Sequence, residues 1–177
     1  MEENLPKWEW RWPDPVALQV ASERILQSRA PDDPNLNRQL KIRVQMESTQ
    51  HPEAPISALL VTPWAVERIF WHNPHNQPTP PIRHAMPLTS DDEGRVAAGQ
   101  GVLLEYIDRL VPVLTAWEPE VGHHFIEILL SSTHDLDNPE EAIALALGKK
   151  PPTRSKQSVA EHLNKTVSRR NLLGWFR

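Results

Sequence analysis

Eight histidines and no cysteine set the bounds on the covalent and metal chemistry this chain can host. Disulfides, thiolate zinc sites, iron-sulfur ligation and cysteine nucleophiles are excluded by counting. A zinc or iron site needs three or four donors converging from fixed elements. The pairs to test are His72 with His75, His123 with His124, and the more distant His84 and His134. Adjacent histidines on a strand point to opposite faces, so His123 and His124 do not easily share an ion. His72 and His75 lie in a proline-rich loop with no third donor at an evident spacing. Neither a metal site nor a cofactor is expected.

For nucleophilic catalysis, a serine on a tight glycine turn would need a histidine and an acid beside it. No G-x-S-x-G occurs, and Ser131-Ser132-Thr133-His134-Asp135 places hydroxyls, imidazole and carboxylate in sequence only. That cluster reads either as a polar strand end or as the centre of a small hydrolase-type enzyme. With six glycines and neither a Walker pattern nor G-x-G-x-x-G, phosphate-cradling loops are absent. The expectation is a protein that is not an enzyme and has no catalytic residues.

These residues sit in a chain of 177, long enough for one core of ordinary size. Apolar types make up 39%, below the ~45–50% of an average domain. The 18 prolines argue against long helices and a fully buried parallel sheet. The net charge of −4 conceals a division. From Lys149 onward eight Lys and Arg face one acid, Glu161, for a net +7, which leaves −11 on the first 148 residues. The chain therefore divides into an acidic domain, 1–148, and a basic linker and tail, 149–177.

The tail could meet nucleic acid or an anionic membrane surface, but the acidic body repels a polyanion, so no nucleic-acid partner is expected. Transient membrane-surface contact remains open. No run reaches the ~18 apolar residues of a membrane span, and the acidic, polar opening MEENLPKWEWRWPDP is unlike a signal peptide. The expected location is the cytoplasm.

The elements that must position these groups follow from local chemistry. Trp8, Trp10 and Trp12 alternate with charged residues in an extended segment, either a strap on its own domain or a strip for a partner. Asp14-Pro15 opens a helix with Ala17, Leu18, Ala21, Ile25 and Leu26 inward, stopped by Pro31 and Pro34. Residues 38–47 alternate as a half-buried strand, and Ile56–Val61 follows as a central strand paired antiparallel to it. Thr62-Pro63-Trp64 has the cap-plus-proline order of a short helical turn, and Val66–Phe70 is compatible with helix or strand. Residues 72–101 read as loop, Gly101–Asp108 and Val121–Ser132 as strands, and Leu110–Pro119 as an irregular bridge. Asn138-Pro139-Glu140-Glu141 opens a second helix that Gly148 can end. The expected fold is α+β: a single domain with a mostly antiparallel sheet flanked by an N-terminal and a C-terminal helix, carrying an extended basic tail.

The segment Ser168-Arg169-Arg170-Asn171-Leu172-Leu173 resembles the twin-arginine motif of exported, pre-folded redox proteins. Only four residues follow Leu173, so it is not a working export signal by itself. Two guanidiniums beside Leu172, Leu173, Trp175 and Phe176 form a cation-plus-apolar strip. That strip could rest on the acidic body, touch a membrane, or mimic a partner's signal peptide.

Taken together, the run ALLVTPW from Ala58 to Trp64 resembles the strand-then-TPW signature of nickel-iron hydrogenase assembly chaperones of the HybE/HupJ type. The closing arginine pair is similar to that family's last residues, and the order of elements between them also fits. The chain departs from the family pattern where Glu127–Ser132 lacks a Cys, where Leu110–Pro119 looks inserted, and where 73–95 lacks aromatic residues. The resemblance implies a cytoplasmic accessory chaperone that binds hydrogenase small-subunit and large-subunit precursors, including a twin-arginine signal peptide, before export. It also implies partner contacts at Thr62, Pro63 and Trp64 and a tail element of Arg169, Arg170, Leu172 and Leu173.

Overall fold

The computed structural model describes residues 5–75 and 79–149. Helix α1, Pro15–Ser28, starts where Asp14 leaves extended backbone and its carboxylate accepts from the Val16 and Ala17 amides at 2.9 and 3.3 Å. Two of the free first-turn donors are thereby satisfied, and proline at the first position loses nothing. Helix α2, Pro139–Ala146, repeats the device, with Asn138 accepting from Glu141 N at 2.9 Å. Gly148 closes it at φ +69°, the left-handed conformation that favours glycine.

Between the helices lie seven strands: β1 (Arg43–Met46), β2 (Ile56–Val61), β3 (Val66–Trp71), β4 (Ile82–Arg83), β5 (Gly101–Tyr106), β6 (Arg109–Glu118) and β7 (Gly122–Leu130). They form one sheet in the order β1-β2-β3-β7-β6-β5-β4, with every neighbouring pair antiparallel. The fold is thus a single α+β domain with an antiparallel sheet and two helices.

Three expectations are corrected. The 38–47 strand shortens to four residues, because Asn37 and Leu40 are buried in an irregular lead-in that ties 37–40 to the Pro63 turn. Thr62-Pro63-Trp64 is the tight turn of the β2–β3 hairpin and has no helical turn: Thr62 N donates to Ala65 O at 2.9 Å across it, and Ala65 N donates to Thr62 Oγ1 at 3.0 Å. Leu110–Pro119 is the body of the longest strand, β6. Pro112 is tolerated there because β6 pairs with β7 only from Leu114 to Glu118, so the proline lies where the strand has left that neighbour. Val66–Trp71 proves to be strand, since its alternation feeds both faces of the sheet. Among the described residues, the region 72–101 holds the two-residue β4 and two isolated bridges, Ser90 to Val96 and Arg95 to Lys7.

Paired residues in an antiparallel sheet share a face. The register therefore places Val44, Leu60, Glu67, Ile69, Ile126, Leu114 and Leu103 on one face, and Leu59, Val61, Phe70, Phe125, Val113 and Val102 on the other. On the first face α1 covers β1 to β3, packing Leu18 and Ala21 on Ala58, Leu60 and Ile69. On the second face α2 covers β2 and β3, with Ala142 and Ile143 against Leu59, Val61 and Val66.

The rest of the second face, over β5 to β7, is roofed by the N-terminal strap. Trp8 and Trp10 stack at 4.7 Å and lie edge-on or tilted over Phe125. His123 N donates to Glu9 O at 2.8 Å, and Glu9 N returns the bond to His123 Nδ1 at 2.6 Å. Among the described residues, three of the sheet's four quadrants are covered. The first face over β5 to β7 is the fourth.

Candidate functional site

The fourth quadrant is an apolar groove of about 710 Å³. Leu103, Pro112, Leu114, Ile126 and Ile128 contribute its greasy wall, and Arg83 stands at its rim. The groove exists because β6 separates from β7 below the Leu114–Ile126 pair while both strands keep their alternation. Leu103 is 40% exposed and Leu110, two residues before Pro112, is 44% exposed. Single exposed leucines need no explanation, but a contiguous concave apolar patch on one sheet face marks an interaction site.

The acid in the groove's lining is Glu127, which Arg68 holds at 2.8 Å. Glu67 does not line the groove, but it pairs across the β3–β7 ladder with Ile128 and so shares its face. Burial pushes the Glu67 carboxyl up to about 7, with nearby Arg29 offsetting part of that rise. Arg29 follows the last turn of α1, sits over the Trp64 ring at 4.7 Å and reaches Asp33 at 3.5 Å. One corner of the molecule thus holds Trp64, a guanidinium and a carboxyl that titrates near neutrality.

The TPW element builds that corner. Thr62 is wholly buried, and its Oγ1 accepts from Ala65 N at 3.0 Å and from Trp64 N at 3.4 Å. Pro63 is also buried, and its carbonyl accepts from Asn37 N and from Thr133 Oγ1, each at 2.7 Å. Asn37 Nδ2 extends the clamp to the Thr133 and Leu136 carbonyls at 2.7 Å each. Of the three, Trp64 alone keeps exposed surface, and it is half-buried. Thr62 and Pro63 act as the frame that aims it. Arg169, Arg170, Leu172 and Leu173 lie outside the described residues.

The other groups singled out by type are placed as follows. Thr133 is buried in the clamp just described, whereas Ser131, Ser132, His134 and Asp135 are exposed and line neither the groove nor the smaller cavity. His123, wholly buried, accepts from Glu9 at Nδ1 and donates from Nε2 to Val96 O at 3.0 Å, which defines a neutral imidazole that ties the strap down. Burial holds its pKa below the usual histidine value. His124 donates from Nδ1 to Gly122 O at 2.9 Å, and burial lowers it to about 4. His72 is buried edge-on to Trp10 at 5.0 Å, while His75 and His84 are exposed. Among the described residues no three His, Asp or Glu side chains converge as metal donors.

A cavity of about 160 Å³ lies where the strap rounds the end of the sheet, between Trp10, Trp12 and Trp71. Trp71 Nε1 lacks a hydrogen-bond partner among the described residues. Among the same residues no helix is long and apolar enough to cross a membrane.

Glu67, Arg29 and the groove wall escaped the sequence reading. The alternations Leu110-Pro112-Leu114 and Ile126-Ile128 were the available signal, masked by Pro112 and by reading 110–119 as irregular. No family model, curated protein or solved structure matches this chain.

Proposed function

We propose that this protein is a cytoplasmic accessory chaperone for nickel-iron hydrogenase maturation. It binds small-subunit and large-subunit precursors before export, and the open quadrant takes the apolar stretch of a twin-arginine signal peptide. The observation that carries this reading is the groove, which no described element covers and whose apolar wall runs from Leu103 to Ile128, with Glu67 paired to Ile128 on the same sheet face. An acid followed by apolar wall complements an arginine pair followed by leucines. A carboxylate receives a guanidinium through two parallel hydrogen bonds, and the wall desolvates the apolar side chains. The net −11 of the first 148 residues attracts such a cationic segment from a distance. The TPW resemblance supports the same reading independently of the groove. No catalytic residue is assigned.

The test is calorimetric titration of the full chain with a synthetic signal peptide from a hydrogenase small subunit. Binding is expected, lost in the double variant Leu103→Glu, Leu114→Glu, and strengthened as pH rises from 6 to 8 because the guanidinium selects the ionised Glu67. Absence of binding, or equal binding by the double variant, overturns the proposal. Copurification of each hydrogenase precursor with the full chain, weighed against the same variant, tests which subunit is held.

A further inference from the structure

We infer that the cavity between the strap and the end of the sheet binds a small carboxylic acid. The ligand's ring-sized apolar body lies against Trp10, Trp12 and Trp71, and its carboxylate takes the Trp71 indole N–H and the Arg11 guanidinium. This site shares no lining residue with the groove, and the inference holds whatever the groove takes.

Size sets the ligand's body. The cavity measures about 160 Å³, and an apolar cavity of roughly 150 Å³ accepts one benzene molecule. Trp10 is a fixed wall, because it stacks on Trp8 at 4.7 Å and lies edge-on to buried His72 at 5.0 Å. Trp71, at the end of β3, is 1% exposed, whereas Trp12 is 71% exposed, so the lining runs from core to surface. Three indoles offer a flat ring both stacked and edge-to-face contact.

Polarity sets the head group. Trp71 Nε1 is buried without a hydrogen-bond partner among the described residues, and an indole N–H only donates. Buried donors in folded proteins are nearly always paired, so one on a cavity wall calls for an acceptor oxygen. Arg11 adds a guanidinium to the same lining. Glu120 feels the Arg11 charge but is held by Arg24 at 2.8 Å. No Asp or Glu is among the described residues that line the cavity, although the first 148 residues carry net −11. A carboxylate satisfies both donors through charge-assisted bonds. A cation, the usual guest of an aromatic cage, meets instead a guanidinium and an N–H with which it has no bond to make.

The consequence is a clamp on the strap. Trp10, Arg11 and Trp12 belong to the strap and Trp71 to β3, so a ligand held by all four ties one to the other. A ligand that binds only the closed strap slows its opening by one plus the ratio of ligand concentration to Kd.

The test follows the indole N–H signals of the full chain by heteronuclear NMR during titration with sodium benzoate. The Trp71 signal is identified by its loss in Trp71→Phe and, in the unaltered chain, by its ring's contacts within the Leu18 and Ala21 cluster. It is expected to move downfield and saturate with a Kd of about 1 mM, the strength usual for so few atoms. Benzyl alcohol, the neutral counterpart, is expected to leave it in place. Arg11→Gln and Trp12→Ala, both at exposed side chains, are expected to weaken binding about tenfold and about fivefold. At about 10 mM benzoate, amide exchange at Glu9 and Val96 in the strap's hydrogen bonds is expected to slow roughly tenfold.

No shift of the Trp71 signal, a shift that rises without saturating, an equal shift from benzyl alcohol, or binding that Arg11→Gln leaves unchanged overturns the inference. So does a hexaproline peptide or tetramethylammonium that moves the signal where benzoate does not, since either assigns the cavity to a different ligand class.

Discussion

Strands β5 to β7 carry two apolar faces, and among the described residues only one of them has a roof. On one side Val102, Val113 and Phe125 lie beneath the stacked Trp8 and Trp10. On the other, Leu103, Leu114 and Ile126 line an open groove. The same alternation generates both, so patterning alone does not distinguish a core face from a binding face. What separates them is whether a sequence-distant element returns to cover each. The strap does so on one side through the reciprocal Glu9–His123 bonds, and among the described residues nothing does so on the other. An apolar face kept open carries a solubility cost that folding does not require, which is the physical reason to assign it to recognition.

The widest gap between the two sides should appear on truncation. Phe125→Ala, beneath the strap and fully buried, is expected to cost ~4 kcal/mol of unfolding free energy, because it leaves a cavity among packed rings. Leu103→Ala, on the open side, is expected to cost under ~1 kcal/mol while weakening peptide binding. Urea unfolding of the two variants decides this, and equal losses would mean that the groove is covered in the free protein.

Titration sharpens the contrast next. His124, at the closed start of β7 beside His123, folds neutral with its pKa lowered to about 4. Its contribution is complete above pH ~6.5 and is lost as pH falls toward 4, worth roughly 3 kcal/mol in all. Glu67, paired with Ile128 on the groove's face and with Arg29 nearby, is raised by burial to about 7. Its folded form prefers the proton, so stability falls as pH climbs from about 4.5 toward 7, by a similar amount. Between pH 4.5 and 6.5 the two slopes oppose. Glu67→Gln is expected to leave stability rising with pH there, and His124→Gln to leave it falling. Parallel denaturation curves across that range would show neither.

A smaller effect probes the roof. Gly122 has φ +74°, and a Cβ there would sit 2.6 Å from Glu9 O, so a side chain meets strap backbone in a conformation that already disfavours it. Gly122→Ala is expected to cost ~2 kcal/mol and to speed amide exchange at Glu9 and Val96. Unchanged exchange at those amides would mean that the strap is held by its tryptophans alone.

The smallest change is expected at the β5–β6 hairpin. Ile107, at the β5–β6 hairpin tip, holds φ +56°, a region that a β-branched residue rarely enters. Ile107→Gly is expected to stabilise by ~1 kcal/mol, seen as a higher melting temperature. A loss instead would show that the exposed Ile107 side chain packs on something.

Much of the scaffold was readable from local chemistry. Asp14-Pro15 and Asn138-Pro139 placed both helix starts correctly, because a capping oxygen and a missing amide act within a few residues. The strands at Ile56, Gly101 and Gly122 followed from apolar runs between breakers. Thr62-Pro63-Trp64 misled, since its cap-and-proline order is shared by helix starts and tight turns. The choice came from Asn37 and Thr133, which hold the Pro63 carbonyl from distant parts of the chain. Pro112 misled in the same way, because whether a strand proline is tolerated depends on where a neighbouring strand has stopped pairing.

By itself the amino-acid sequence settled composition, the charge division at Lys149, the absence of thiol chemistry and the caps that start both helices, all matters of counting or of contacts a few residues long. Only the tertiary structure decided which apolar face stays open, that Glu67 stands beside Ile128, and that Thr133 serves as a clamp. Each of these depends on strand register and on which distant segment folds back over which face, and chain-remote packing of that kind leaves no mark in local sequence.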